Sequence, residues 1–144
     1  MDEFQIQESK LELRTSFFDE CTFIRKSDVI GDEKGISYNI NFVREISLIG
    51  DNLYRVSLRC NALEEKQGAI EIHIRIVGVF HVQVSDDTAK KTLLNKNAVA
   101  ILFPFVRSQM TLLTAQIGCP VVHIPIVNIA EMFPDTELPH KEEN

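Results

Sequence analysis

The chain has 144 residues, 44% of them hydrophobic and 25% charged, with a formal net charge of −6 at pH 7. That length and apolar content fit one domain with a real core, which excludes wholesale disorder. The acidic balance excludes nucleic acid as the main partner, because phosphate binding needs a basic surface.

The opening MDEFQIQESK lacks the basic-then-apolar order of a signal peptide. No uninterrupted apolar run approaches the roughly 20 residues of a spanning helix, so no direct membrane insertion is expected. A first strand is predicted around Phe4–Leu13, where apolar positions switch from even (Phe4, Ile6) to odd (Leu11, Leu13). A bulge near Ser9 would produce that switch. SFFDECTF then reads as a loop, with Phe17 and Phe18 adjacent and unable to face one core together.

Residues 36–48 place Ile36, Tyr38, Ile40, Phe42, Ile46 and Leu48 on even positions and Ser37, Asn39, Asn41 and Ser47 on odd ones. This period of two predicts a strand with one buried face, and Gly50, Asp51 and Asn52 mark the turn that follows it. The next strand buries Tyr54, Val56, Leu58, Cys60 and Ala62. After EEKQG (64–68) a further strand buries Ile70, Ile72, Ile74 and Ile76 and continues through Phe80, Val82 and Val84. The odd positions of these two strands present Arg55, Arg59, Glu71, His73 and Arg75, a mixed-to-basic face.

From SDDTAKKTLL onward the pattern becomes helical, with Ser85 or Asp86 as N-cap and Lys90 and Lys91 further along. NKN at 95–97 weakens this helix, and a second is predicted nearby. Val99, Leu102, Val106, Met110, Leu113 and Ile117 recur at steps of three and four. Ala98, Ile101, Phe103, Phe105 and Leu112 widen the apolar surface beyond one stripe, so the helix is expected to be buried on more than one side. An interior Pro104 costs about 3 kcal/mol, which predicts a kink or a fresh helix start there. Gly118 and Pro120 end the helix. An apolar loop (119–128), a short helix IAEMF and a flexible polar tail (134–144) follow. The expected fold class is therefore α+β: a four-stranded antiparallel sheet, a long kinked helix, a helix-connecting loop and a short last helix. The leftover apolar helix surface predicts a homo-oligomer.

The stretch ILFPFVRSQMTLLTAQIGCP resembles the SecB family of protein-export chaperones. Phe103, Pro104, Phe105 and Arg107 match that family's Phe-Pro-aromatic-x-Arg element, and Gly118 and Pro120 match its Gly-x-Pro exit. Val127, Asn128 and Phe133 fall where the family has its Pro-Val-Asn-Phe segment and last-helix aromatic. FQIQ and the Gly-x-Phe of Gly78 and Phe80 are compatible, so the resemblance implies a chaperone domain over residues 1–133. It further implies a cytoplasmic homotetramer, a dimer of dimers, that holds unfolded preproteins in apolar grooves and delivers them to SecA without cofactor or chemistry. On this reading Phe103, Pro104, Phe105, Arg107 and Met110 form the packing and oligomer element. Phe17, Phe18, Val122, Ile124, Ile126, Ile129, Met132 and Phe133 are the candidate client contacts, although those around the exit loop could equally roof the core. Glu71, His73 and Arg75 mark the face where SecA would dock; its mixed-to-basic character also suits a dedicated antitoxin chaperone independent of SecA.

Arg107 is expected to make an intersubunit or helix–loop bond, and Cys119 to be a small packing residue. The four histidines lack metal-ligand spacing. No Ser/His/Asp set, metal cluster or phosphate loop is present in the sequence, so a small-ligand protein or enzyme is the weaker alternative.

Overall fold

The computed structural model describes residues 10–28, 36–116, 121–125 and 127–140. Four strands, β1 (Leu11–Arg25), β2 (Tyr38–Gly50), β3 (Leu53–Glu64) and β4 (Ile70–Val82), form one antiparallel sheet in the order β1-β4-β3-β2. The alternation in β3 and β4 settles their inner face. Val56, Leu58, Cys60, Ile70, Ile72, Ile74 and Phe80 are wholly buried there. β2 and β1 are the edges; the even positions of β2 are only half-buried. The β2–β3 turn is tight, with Asn52 in the left-handed region at φ 50°.

The first strand corrects the sequence reading. It is 15 residues long and includes the stretch expected to be a loop. Its pairing with β4 slips between Leu13 and Thr15 and again between Phe18 and Glu20. Each bulge adds an unpaired residue and reverses the parity, so no period of two survives to be read. Phe17 pairs with Val77 and Phe18 with Ile76, which puts the two rings on opposite faces. Ser9 lies outside the described residues.

Helix α1 (Asp87–Thr92) is capped by Asp86, whose carboxylate accepts from Thr88 N (3.3 Å) and Ala89 N (3.4 Å). A π-helical turn, Leu93–Asn97, joins it without a break to α2 (Ala98–Gln116). The expected gap at NKN is thus a wider helical turn. Pro104 lies inside α2, well past its first turn, so it does not start a helix. The continuous span Asp87–Gln116, with mean hydropathy 1.4, is long and apolar enough to cross a membrane by length and composition. In this fold it lies on β4 and β3, burying Ala98, Val99, Leu102, Phe103, Val106 and Met110.

Gly118, Pro120, Ile117, Cys119 and Ile126 fall outside the described residues. Residues 121–125 are extended, and α3 (Ile129–Met132) is a single turn. Arg44 of β2 gathers the C-terminal segment. Its guanidinium donates to Asn95 O (2.9 Å) and Pro134 O (2.7 Å) and lies 5.0 Å from the centre of the Phe133 ring. Residues 134–140, assigned by composition to a polar tail, run along the helix: Thr136 bonds Asn95, Lys91 pairs with Glu137 at 2.7 Å, and Leu138 packs against the core.

Candidate functional site

Three side chains on one side of α2 hold the exit segment. Arg107 Nε donates to Ile124 O (3.0 Å), and Thr111 Oγ1 donates to Val122 O (3.3 Å). Val122 N–H donates to Thr114 Oγ1 (2.9 Å), whose hydroxyl in turn donates to Met110 O (2.8 Å). Positions 107, 111 and 114 share a helix face by their steps of four and three. They stitch an extended chain alongside the helix. Arg107 thus makes a helix–loop bond, one of the two roles expected of it. The two threonines were not singled out by sequence; their spacing opposite an apolar, proline-bounded segment was the available signal.

Beside this seam lies an open groove of about 740 Å³ lined by Pro104, Ser108, Leu112, Ala115, His123 and Ile124 together with Arg107 and Thr111 of the seam itself. Its rim continues into the free side of α2, where Ile101, Phe105 and Leu112 are 37%, 46% and 52% exposed. These positions form a second helical stripe that nothing among the described residues fully covers. The Phe-Pro-Phe-x-Arg element is therefore divided. Phe103 and Met110 are buried, with Phe103 5.4 Å from the Phe42 ring, while Pro104 and Phe105 face outward.

The other candidate contacts do not form one patch. Val122 and Ile124 send their side chains into the core, 6% and 4% exposed, although Ile124 also borders the groove. Ile129, Met132 and Phe133 are half-buried against the core. Phe17 and Phe18 are exposed on β1, the edge strand opposite β2.

The outer sheet face is a set of paired charges. Asp19, the bulged residue of β1, accepts from Arg75 Nε (2.8 Å) and Arg55 Nη2 (3.3 Å), and Glu20 lies 2.8 Å from Arg59. The basic character expected from the odd positions is thereby matched by two acids of the misread segment. Further along, Asn61 Nδ2 donates to Asn41 Oδ1 (2.9 Å), and Asn61 Oδ1 meets His73 Nδ1 at 2.6 Å. His73 Nε2 meets Glu71 Oε1 at 2.6 Å, and Lys26 lies 2.9 Å from Glu71 Oε2. The hydrogen bond from His73, then that from Lys26, holds the Glu71 carboxyl below the usual carboxylate range.

Arg75 does the same for Asp19 by hydrogen bond, against a smaller opposing effect of burial. A carboxyl whose folded pKa is depressed stabilises fully above its unfolded pKa and loses that contribution as pH falls through the folded value. Asp19→Asn is therefore expected to flatten the acid limb of stability against pH below about pH 4, measured by urea unfolding across pH.

No group of three or more His, Cys, Asp or Glu residues positioned to hold a metal is present among the described residues. Burial pushes the Cys60 thiol up to about 12 and also raises Cys21, so both remain neutral thiols.

The arrangement is a sheet backed by a helix with an exposed apolar side and a tethered exit segment. The family model described as preprotein translocase subunit SecB matches residues 10–138. The chain belongs to the SecB family. It is 32% identical over 118 residues to an uncharacterized protein of Methanocaldococcus jannaschii, covering 78% of this chain and 75% of that protein. Against the protein-export protein SecB of Anaplasma phagocytophilum it is 31% identical over 86 residues, covering 56% of this chain and 54% of the relative. Against SecB of Bartonella bacilliformis it is 28% identical over 103 residues, covering 70% and 65%. The fold matches the Mycobacterium tuberculosis SecB-like chaperone Rv1957, solved with a ChAD peptide from the HigA1 antitoxin. That match has a TM-score of 0.68 at 13% identity and covers 83% of this chain and 91% of that one.

Proposed function

We propose that this protein is a cytoplasmic holdase chaperone that binds non-native polypeptides without cofactor or chemical step. The observation that carries this reading is the groove beside the helix-to-loop seam, which continues into the exposed apolar stripe of α2. A shallow, open, apolar surface suits many extended segments loosely rather than one ligand tightly. Several such surfaces on a homotetramer would add by avidity. The export branch delivers the client to SecA, docking on the outer face around Glu71, His73 and Arg75.

A second branch has one observation in its favour: the structural likeness to a chaperone solved with an antitoxin peptide. There the client is a single antitoxin and SecA has no part.

Light scattering of the purified protein with an unfolded preprotein, followed by SecA, tests both. Capture of the client and then of SecA supports export. Capture without SecA binding supports the dedicated branch, and a chain that captures nothing overturns both.

The homo-oligomer has its own test. Phe105→Lys with Leu112→Lys places two charges on the exposed stripe, where the fold loses less than about 1 kcal/mol. The expected result is a drop in solution mass from tetramer to dimer or monomer, with unchanged helical circular dichroism. An unchanged mass would show that this stripe is not the interface.

A further inference from the structure

A row of polar side chains crosses three strands on the outer face of the sheet. His73 of β4 pairs with Asn61 of β3, which pairs with Asn41 of the edge strand β2, and Glu71 lies two residues before His73 on the same face. The row is continuous. Glu71 Oε1 lies 2.6 Å from His73 Nε2, His73 Nδ1 lies 2.6 Å from Asn61 Oδ1, and Asn61 Nδ2 lies 2.9 Å from Asn41 Oδ1. Both ring nitrogens of His73 therefore face oxygen. Only an imidazolium has two N–H groups to meet two acceptors; a neutral ring has one donor and one acceptor. Glu71 cannot supply a second proton. The hydrogen bond from His73, then that from Lys26, holds its carboxyl below the usual carboxylate range and leaves it an acceptor only. A neutral His73 must then keep its N–H on Nε2 and turn a lone pair toward Asn61 Oδ1, where two acceptors repel. The row has one way out. If both amides turn over about their Cβ–Cγ bonds, Asn61 Nδ2 donates to the ring and Asn41 Nδ2 donates to Asn61 Oδ1, and every bond is remade.

We infer that these residues form a proton-driven relay, in which a change of protonation at His73 reverses the two amides and so changes the group that Asn41 shows to solvent. Asn41 is exposed at the far end of the row, on an edge strand. With His73 protonated, the Asn41 oxygen is taken by Asn61 and its N–H pair points outward. With His73 neutral, the N–H points inward and the oxygen outward. The first state favours a partner bearing carbonyl or carboxylate groups, the second a partner bearing N–H groups. Around the ring, β1 supplies Thr22 and Glu20, β3 supplies Arg59, and β4 supplies Glu71 and Arg75. Glu20 lies 2.8 Å from Arg59, Asp19 lies 2.8 Å from Arg75, and Lys26 lies 2.9 Å from Glu71. β2 places uncharged Asn39 and Asn41 beside the same hollow. Each charge thus has an opposite neighbour, which leaves the ring proton as the variable of the row. What the relay does for docking rests on the outer face being the docking surface; the relay itself does not.

The test is nitrogen NMR of the full-length protein, carrying the heavy nitrogen isotope in its histidines and asparagines, across the pH range in which it stays folded. The Asn41 amide signal is identified by its loss in Asn41→Ser. As pH rises, His73 is expected to pass from imidazolium to a neutral ring with its proton on Nε2. The side-chain amide signals of Asn61 and Asn41 should move with the same midpoint. In Asn61→Ala the ring still titrates, but Asn41 loses its pH-dependent movement because the link is cut. A neutral ring protonated on Nδ1 would overturn the proposal, since Nδ1–H already suits Asn61 Oδ1 and no amide need turn. Movement of Asn41 retained in Asn61→Ala would also overturn it, by showing that the ring charge acts through space. A ring that keeps one protonation state throughout would leave no switch and overturn it as well. If Asn61→Ala does not fold, the tautomer and the shared midpoint in the unaltered protein decide. Reversal of the amides in a protein that binds no SecA at any pH would remove the docking reading and uphold the relay.

Discussion

Gly78→Val is expected to lower the unfolding free energy by about 3 kcal/mol, seen as a reduced urea midpoint at unchanged slope. Gly78 lies on the helix-facing side of β4. A Cβ added there would sit 2.6 Å from Cε2 of Phe80 and 2.9 Å from Cδ2 of Leu102. The Phe80 ring folds back over the glycine and Leu102 of α2 rests on the same spot, so α2 approaches the sheet only because no side chain intervenes. Both neighbours are wholly buried, and cores pack too densely to take up an added side chain without strain. Gly78→Ala should show a smaller loss, about 1–2 kcal/mol. Adding Leu102→Ala to Gly78→Val should cost less than the sum of the two single changes, because the second removes part of the clash caused by the first. Simple additivity would mean that the two residues do not share that space.

Asn95→Ala is expected to cost about 2–3 kcal/mol and to release the C-terminal segment. The Asn95 side chain is almost fully buried in the π-helical turn. Its Oδ1 accepts from Thr136 N (3.1 Å) and Thr136 Oγ1 (3.0 Å), and its Nδ2 donates to Thr136 O (3.0 Å) and Lys91 O (2.9 Å). One amide thus satisfies both main-chain groups of Thr136, as a neighbouring strand would. Its own backbone carbonyl holds Arg44, which also holds Pro134. With alanine at 95, both main-chain groups of Thr136 lose their partners on the helix, and the segment loses that tie. Hydrogen exchange should show residues 134–138 losing protection while β3 and β4 keep theirs. Asn95→Asp keeps the acceptor but loses the donor, and should fall between. Protection unchanged in the alanine variant would show that Leu138 and Arg44 suffice.

These two sites show what could be read along the chain. The strict alternation of β3 and β4 was legible because both strands are central and pair with each other in unbroken register, with apolar residues on one face. The stripe from Val99 to Met110 was legible for the same reason, and the surplus of Ile101, Phe105 and Leu112 announced a second face. β1 was not legible, because bulges at Arg14 and Asp19 reverse the parity twice. With it went Asp19 and Glu20, the two acids that pair with Arg55, Arg59 and Arg75, since a carboxylate's cross-strand partner depends on register. NKN read as a helix break because asparagine is a poor helix former; three of the four side-chain hydrogen bonds of Asn95 come from a segment 41 residues away.

The sequence by itself determined the class of fold, the buried faces of the central strands, the length of apolar helix and the family. Each follows from periodicities and motifs that neighbouring residues carry together. Only the tertiary structure decided the charge balance of the outer face, the continuity of the helix through its π turn and the orientation of the exit segment's main chain. Those properties depend on pairings between residues far apart in the chain. A hydrogen bond or a register is a relation between two elements, and neither element's local pattern contains it.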